Sequence, residues 1–224
     1  MLGERSNVLL MAARRALIAA GNRLAARGLV NGSSGNLSCR VGDHVLVTPS
    51  GLPIAGLQPA QLVVLALGGS VVEGDLVPTS ETPLHLAIYR ATDAGAIAHA
   101  HAVHSAAVAS VCTAVPPLHY NCVLLGGPLL VAPYATYGSD ELATNVVTTL
   151  GSRRTAALMA NHGSIAYGAD IGSACDRLEL VEWLCQHYCQ AVALGTPRPL
   201  SDDELVAAAQ RYGLPRAATQ TAIL

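Results

Sequence analysis

Three histidines fall within six residues in the run Ile97-Ala98-His99-Ala100-His101-Ala102-Val103-His104, whose other members are all apolar. In an extended strand side chains alternate faces, so His99 and His101 point to the same side, roughly 7 Å apart along the chain. Two imidazoles so placed can converge on one metal ion. Burying both among apolar neighbours without a partner is costly, which favours a ligand pair over two core histidines. A third ligand must come from elsewhere. His162 in Asn161-His162-Gly163, after the apolar run Thr155 to Ala160, is the best candidate. Three neutral histidines with one position left open is the pattern of a catalytic zinc site, able to polarise a carbonyl or bind a water.

A carboxylate beside such a site would serve proton transfer in an enolisation. Glu81 opens a predicted helix after Thr79-Ser80 and admits two readings: a base facing the metal, or a partner of the positively polarised helix start. The loops Ser33-Ser34-Gly35-Asn36 and Thr48-Pro49-Ser50-Gly51, with Thr79-Ser80, supply hydroxyls, an amide and backbone N–H groups. Together they could form an anion nest. Each loop alone is a common turn, and a phosphate pocket is supported only by their company with the histidines. The chain contains no lysine, since all 13 of its basic residues are arginine. Schiff-base catalysis on a side-chain amine and a lysine-anchored pyridoxal cofactor are therefore unavailable.

These groups need a frame to hold them. Residues 7–28 place Leu9, Ala13, Leu17, Ala20 and Leu24 on one helical face, with Gly28 as the stop. Residues 37–41 and 44–48 read as a hairpin across Gly42-Asp43, and 61–67 with 70–73 as another through Gly68-Gly69. A helix capped by Ser80 runs to about Ala91, the histidine strand follows, and 105–112 is helical. Residues 129–131, 155–160 and 164–167 read as strands. Helices are predicted over 140–150, over 171–194, and from Ser201-Asp202-Asp203-Glu204, which carries a capping box. A mixed or largely antiparallel sheet covered by helices accommodates this order.

A chain of 224 residues that is 51% hydrophobic and only 12% charged points to a compact fold with surface to spare for subunit contacts. A net charge of −2 gives no case for nucleic acid or an anionic membrane. The uncharged stretch Ala94–Ser139 is interrupted by four prolines and four histidines, so it reads as core and interface rather than a membrane span. No signal peptide is evident, and the six cysteines lack both metal-knuckle and disulfide-framework spacing, which predicts the reducing cytoplasm.

Taken in order, Gly32-Ser33-Ser34-Gly35-Asn36-Leu37-Ser38, Thr48-Pro49-Ser50-Gly51, Ser80-Glu81, His99-Ala100-His101-Ala102-Val103-His104, Ala132-Pro133-Tyr134-Ala135-Thr136-Tyr137-Gly138, Asn161-His162-Gly163 and Tyr212-Gly213-Leu214 form a specific set. The set resembles the zinc-dependent class II aldolase/adducin family, in particular its members that act on ketose 1-phosphates such as L-fuculose 1-phosphate. The resemblance implies an α/β fold: one domain over 1–224, an αβα sandwich around a mixed, largely antiparallel sheet. It implies Zn2+, or another divalent ion such as Mn2+ or Co2+, on His99, His101 and His162. Glu81 is implied as the proton-transferring carboxylate and a possible fourth ligand without substrate. Ser33, Ser34, Asn36, Ser50, Gly51, Thr79 and Ser80 are implied around a phosphate. Tyr120 is implied as the residue that reaches a neighbour's site in a homotetramer, and Tyr212 as the one that closes over the substrate. The expected reaction is reversible cleavage of a ketose 1-phosphate to dihydroxyacetone phosphate and a small aldehyde through a metal-stabilised enediolate. Ser33, Thr82 and Asn161 depart from the family pattern and bear on the aldehyde rather than the metal. A sugar-phosphate 4-epimerase of the L-ribulose-5-phosphate type and a ketose-1-phosphate dehydratase share the scaffold and stay open. A non-catalytic adducin-like head is disfavoured, because all three histidines and Glu81 are present.

Overall fold

The computed structural model describes residues 4–214, so both ends of the domain expected over 1–224 lie outside the described residues. Nine strands run in chain order: β1 (Asn36–Val41), β2 (His44–Val47), β3 (Val63–Ala66), β4 (Val71–Glu73), β5 (Ala96–Ala100), β6 (Ala114–Val115), β7 (Leu129–Ala132), β8 (Ala156–Met159) and β9 (Gly163–Gly168). They form one sheet in the order β4-β3-β2-β1-β5-β9-β8-β7-β6. Every adjacent pair is antiparallel except β7 and β8, which run parallel. The helices are α1 (Glu4–Ala26), α2 (Thr82–Ala91), α3 (Val103–Ala109), α4 (Asp140–Leu150), α5 (Ile171–Leu194) and α6 (Asp202–Arg211). Residues of α1, α3, α5 and α6 share one apolar core with the sheet, and residues of α2 and α4 share a second. The sheet is therefore covered on both faces, the helix-covered mixed sheet that the sequence predicts.

β5 is the central strand for function, and all five of its residues are buried. Burial on both faces explains why it reads as a continuous apolar run. Ala96, Ala98 and Ala100 join the core on the α5 side, while Ile97 joins the α2–α4 side. Alternation puts His99 with Ile97. Three small alanines let the 24-residue α5 lie close against β5 and β9. On the opposite face Leu84 and Ile88 of α2 and Val146 and Leu150 of α4 are at most 1% exposed. Each contributes about 1.5–3 kcal/mol by burial.

The structure departs from the sequence reading at four points. β5 stops at Ala100, so His101 lies just past the strand, and α3 starts at Val103 rather than 105. The cause is tertiary: the Glu182 carboxylate of α5 accepts from the N–H groups of His104 and Ser105 at 2.9 and 2.8 Å, capping α3 from across the core. His104 also bonds Glu182 through Nδ1, at 2.8 Å, and leaves the histidine group. At α2 the cap position is Glu81, not Ser80; the Thr82 hydroxyl donates to the Thr79 carbonyl at 2.6 Å and holds this turn. The two-residue β6 and a 3-10 segment at Tyr120–Leu125 fall where no periodicity marks them.

β9 approaches β5 closely at its first residue. A Cβ on Gly163 would stand 2.4 Å from the Ala100 carbonyl oxygen and 3.1 Å from His101 Cδ2. Gly163→Ala is therefore expected to cost about 1–3 kcal/mol through overpacking and to weaken metal binding by displacing the turn that carries His162. Thermal unfolding and a metal titration check this, and a variant unchanged in both contradicts the packing account.

Candidate active site

His99 is fully buried at the end of β5, and its Nδ1 donates to the Ser164 carbonyl across the β5–β9 ladder at 2.9 Å. That bond fixes the ring and leaves the lone pair on Nε2, as outer carbonyls do for metal-binding histidines. His101 follows with its Nε2 2.9 Å from His99 Nε2. His162 arrives from the other side, in the three-residue turn between β8 and β9. Asn161, at φ 53, is the one non-glycine with positive φ among the described residues. Asparagine tolerates that conformation better than most side chains. Its N–H donates to the Ala109 carbonyl at 3.3 Å and that of His162 to the Met159 carbonyl at 3.1 Å, which pins the turn.

One ligand atom from each of His99, His101 and His162 lies within 4.8 Å of the others. The three rings meet edge to face, with centroids 4.8 to 4.9 Å apart. Burial lowers the pKa of all three. For His99 the other two imidazoles lower it further, and His162, pushed down to about 4, is also lowered by His101. The rings are therefore neutral near pH 7. Two nitrogens facing each other at 2.9 Å need a proton or a cation between them. Convergent neutral imidazoles, one with its far nitrogen already committed to a carbonyl, are the donor set a zinc-like ion takes.

Glu81 is 3% exposed, and its Oε2 is buried with no partner among the described residues. Burial raises its pKa above the ordinary carboxylate value, while a hydrogen bond from the Gly138 N–H pulls the other way. Gly138 has φ +73, and a Cβ there would stand 2.8 Å from the Ser80 carbonyl. Only glycine lets the loop before α4 press onto Ser80-Glu81 this tightly. An unpartnered buried carboxylate oxygen is costly and marks a group kept for something that binds.

A cavity of about 340 Å³ joins these groups. Its lining brings together Ser33, Ser34, Asn36, Ser50, Gly51, Thr79, Ser80, Glu81, His99, His101 and His162. Among the described residues no arginine lines it, and the chain has no lysine, so the described lining offers an anion hydroxyls, N–H groups and the Asn36 amide. Tyr134 and Tyr137 also line it, which no role assigned from the sequence anticipates, and so does Asn161. The signal was two tyrosines in a proline- and glycine-bounded loop; they are 62% and 67% exposed, so they stand at the rim. His85 lies behind the lining, fully buried with its Nε2 2.6 Å from Asn36 Oδ1, and a histidine on the apolar face of α2 carries no sequence signal of that contact. Tyr120 and Tyr212 are not in the lining. They sit together on the surface, ring centroids 6.3 Å apart, with the Tyr212 hydroxyl donating to Asn121 Oδ1 at 2.8 Å.

The family model described as Class II Aldolase and Adducin N-terminal domain matches residues 15–189. A 5-deoxy-D-ribulose 1-phosphate aldolase of Bacillus thuringiensis serovar kurstaki is 34% identical over 208 residues, 92% of this chain and 97% of its own. The L-fuculose phosphate aldolase of Escherichia coli K12 is 37% identical over 188 residues, 83% of this chain and 86% of its own. A solved structure of an L-fuculose 1-phosphate aldolase superposes with a TM-score of 0.86 at 34% identity, covering 91% of this chain and 97% of that one.

If the three imidazoles form one metal site, His99→Ala and His162→Ala should each lower affinity for a divalent ion at least about 100-fold. Plasma mass spectrometry after dialysis against zinc, manganese and cobalt reads this out. One ion per wild-type chain and a small residue in the variants is the expected result; a variant that keeps a full ion contradicts it.

Proposed function

This chain belongs to the class II aldolase and adducin family, and from that premise we propose that it is a metal-dependent aldolase of ketose 1-phosphates. The substrate class is that of L-fuculose 1-phosphate and 5-deoxypentulose 1-phosphates, cleaved to or formed from dihydroxyacetone phosphate and a small aldehyde. The observation that carries this reading is the meeting of His99, His101 and His162 with the half-unpartnered Glu81 in one cation-poor cavity. A divalent ion on the three imidazoles, zinc by preference and manganese or cobalt otherwise, would supply Lewis-acid stabilisation of the negative charge left by C–C cleavage.

The chain's own residues do the rest. Hydroxyls of Ser33, Ser34, Ser50, Thr79 and Ser80, the Asn36 amide and backbone N–H groups such as that of Gly51 hold the phosphate and orient the carbon chain. Glu81 moves the proton at C3 of dihydroxyacetone phosphate, and its raised pKa brings it closer to working pH, where a general base is most effective. Tyr120 handles the proton on the departing aldehyde's oxygen, and Tyr212 closes over the substrate. Both stand on an exposed patch away from this chain's own cavity, which supports a homotetramer in which they complete a neighbour's site. The absence of lysine leaves no Schiff-base route. All six cysteines are free, in keeping with a cytoplasmic setting.

Glu81→Gln separates metal binding from proton transfer. The variant should keep its metal and lose exchange of the C3 proton of dihydroxyacetone phosphate by about 100-fold or more, followed by proton NMR in deuterium oxide. Exchange at the wild-type rate would remove Glu81 from the role of base.

A further inference from the structure

A buried polar chain crosses from α2 to β1 and takes no part in the chemistry described so far. The Tyr89 hydroxyl lies 2.8 Å from Ser38 Oγ, which lies 2.7 Å from His85 Nδ1. On the far side of the imidazole, Nε2 lies 2.6 Å from Asn36 Oδ1. Ser38 and His85 are fully buried, and Tyr89 is 2% exposed. Only Asn36, at the end of the chain, lines the cavity. Burial pushes the pKa of His85 down to about 3, so the ring is neutral and carries one N–H.

Donor counting fixes the direction of this chain. The Tyr89 hydroxyl has Ser38 as its one partner among the described hydrogen bonds, so its O–H donates to Ser38. Ser38 then donates to Nδ1, the ring proton resides on Nε2, and Nε2–H donates to Asn36 Oδ1. In the reverse sense Ser38 would donate to the tyrosine, and the tyrosyl O–H would be buried without an acceptor. The ring proton would move to Nδ1, and Asn36 would have to turn its amide over to donate to Nε2.

We propose that Tyr89, Ser38 and His85 are positioning residues that lock Asn36 with its NH2 group, a donor only, turned into the cavity toward the anionic part of the substrate. The lock matters because no arginine among the described residues lines this cavity and the chain has no lysine. An amide turned over would present its carbonyl oxygen to an anion and replace an attraction with a repulsion. His99, directly opposite Asn36 in the β1–β5 ladder, places the oriented amide beside the histidine group. The inference rests on the reading of the cavity as the site of a phosphorylated substrate.

Nitrogen-15 NMR of histidine-labelled protein, with His85 assigned from the His85→Gln spectrum, reads the tautomer directly. The expected state is neutral with the proton on Nε2, unchanged from about pH 8 to about pH 5, well below the ordinary histidine range. A proton on Nδ1 overturns the proposal whatever reaction the protein performs. Binding of dihydroxyacetone phosphate to the zinc-loaded protein supplies a second readout. His85→Gln keeps an N–H donor in reach of Asn36 and should bind within about threefold of wild type. His85→Leu keeps the volume and loses the donor; it should bind about tenfold more weakly, with KM moved more than kcat. Equal weakening in both variants overturns the positioning role. Wild-type protein that fails to bind dihydroxyacetone phosphate would overturn the aldolase reading instead, and the tautomer would still decide how Asn36 is held.

Discussion

The register of β5 between β1 and β9 is the constraint on which the site depends. His99 pairs with Asn36 on one side and with Ile165 on the other, while Ala100 pairs with Ser164. Because side chains alternate with a period of two, a slip of one residue would send His99 to the α5 face and an alanine to the cavity. The slip is resisted on both sides of the sheet. The α5 face accepts alanines where the helix packs close, and the Ser164 carbonyl receives the His99 N–H only in this register. The convergence of the histidines and the strand register are thus one property of the same ladder.

A second constraint is electrostatic. On the proposed reading, a substrate carrying a phosphate is held in a cavity to which the described residues offer no fixed positive side chain. On that reading the charge would be met by many weak donors, which come from three separate loops, with the three histidines that could hold a metal at one end. Such a design leaves little tolerance for a misoriented group, since one carbonyl in place of one amide N–H removes a donor and adds a repulsive oxygen. Burial moves the pKa of Glu81 upward, and the Gly138 N–H opposes it. Three imidazoles held neutral by burial and one carboxylate whose charge burial disfavours are gathered where a divalent ion and an anionic substrate would meet.

Much of this was legible in the sequence, for reasons that are local. His99 and His101 were readable because strand period and apolar flanks leave few uses for two histidines, and His162 because it sits between two apolar runs. The loops at 33–36 and 48–51 were readable as turns, and the ordered set of segments gave them a purpose. What was not legible depends on distant partners. The early start of α3 is set by Glu182, 78 residues away along the chain from His104. No local pattern marks His85, whose ring lies between Ser38 and Asn36 only because β1 packs against α2. The rim tyrosines, Tyr134 and Tyr137, occupy a loop whose path is fixed by the contact of Gly138 with Ser80, and no local pattern encodes that contact.

The central claim is that this cavity cleaves a ketose 1-phosphate with the help of a metal held by His99, His101 and His162. It is tested most directly by incubating the zinc-loaded protein with L-fuculose 1-phosphate, 5-deoxyribulose 1-phosphate and L-ribulose 5-phosphate, and measuring dihydroxyacetone phosphate and all sugar products. Release of dihydroxyacetone phosphate from a ketose 1-phosphate, abolished by chelation and restored by zinc, manganese or cobalt, is the predicted result. Formation of a 4-epimer of the pentulose phosphate with no dihydroxyacetone phosphate from any substrate would contradict it, and would assign the same site to epimerisation.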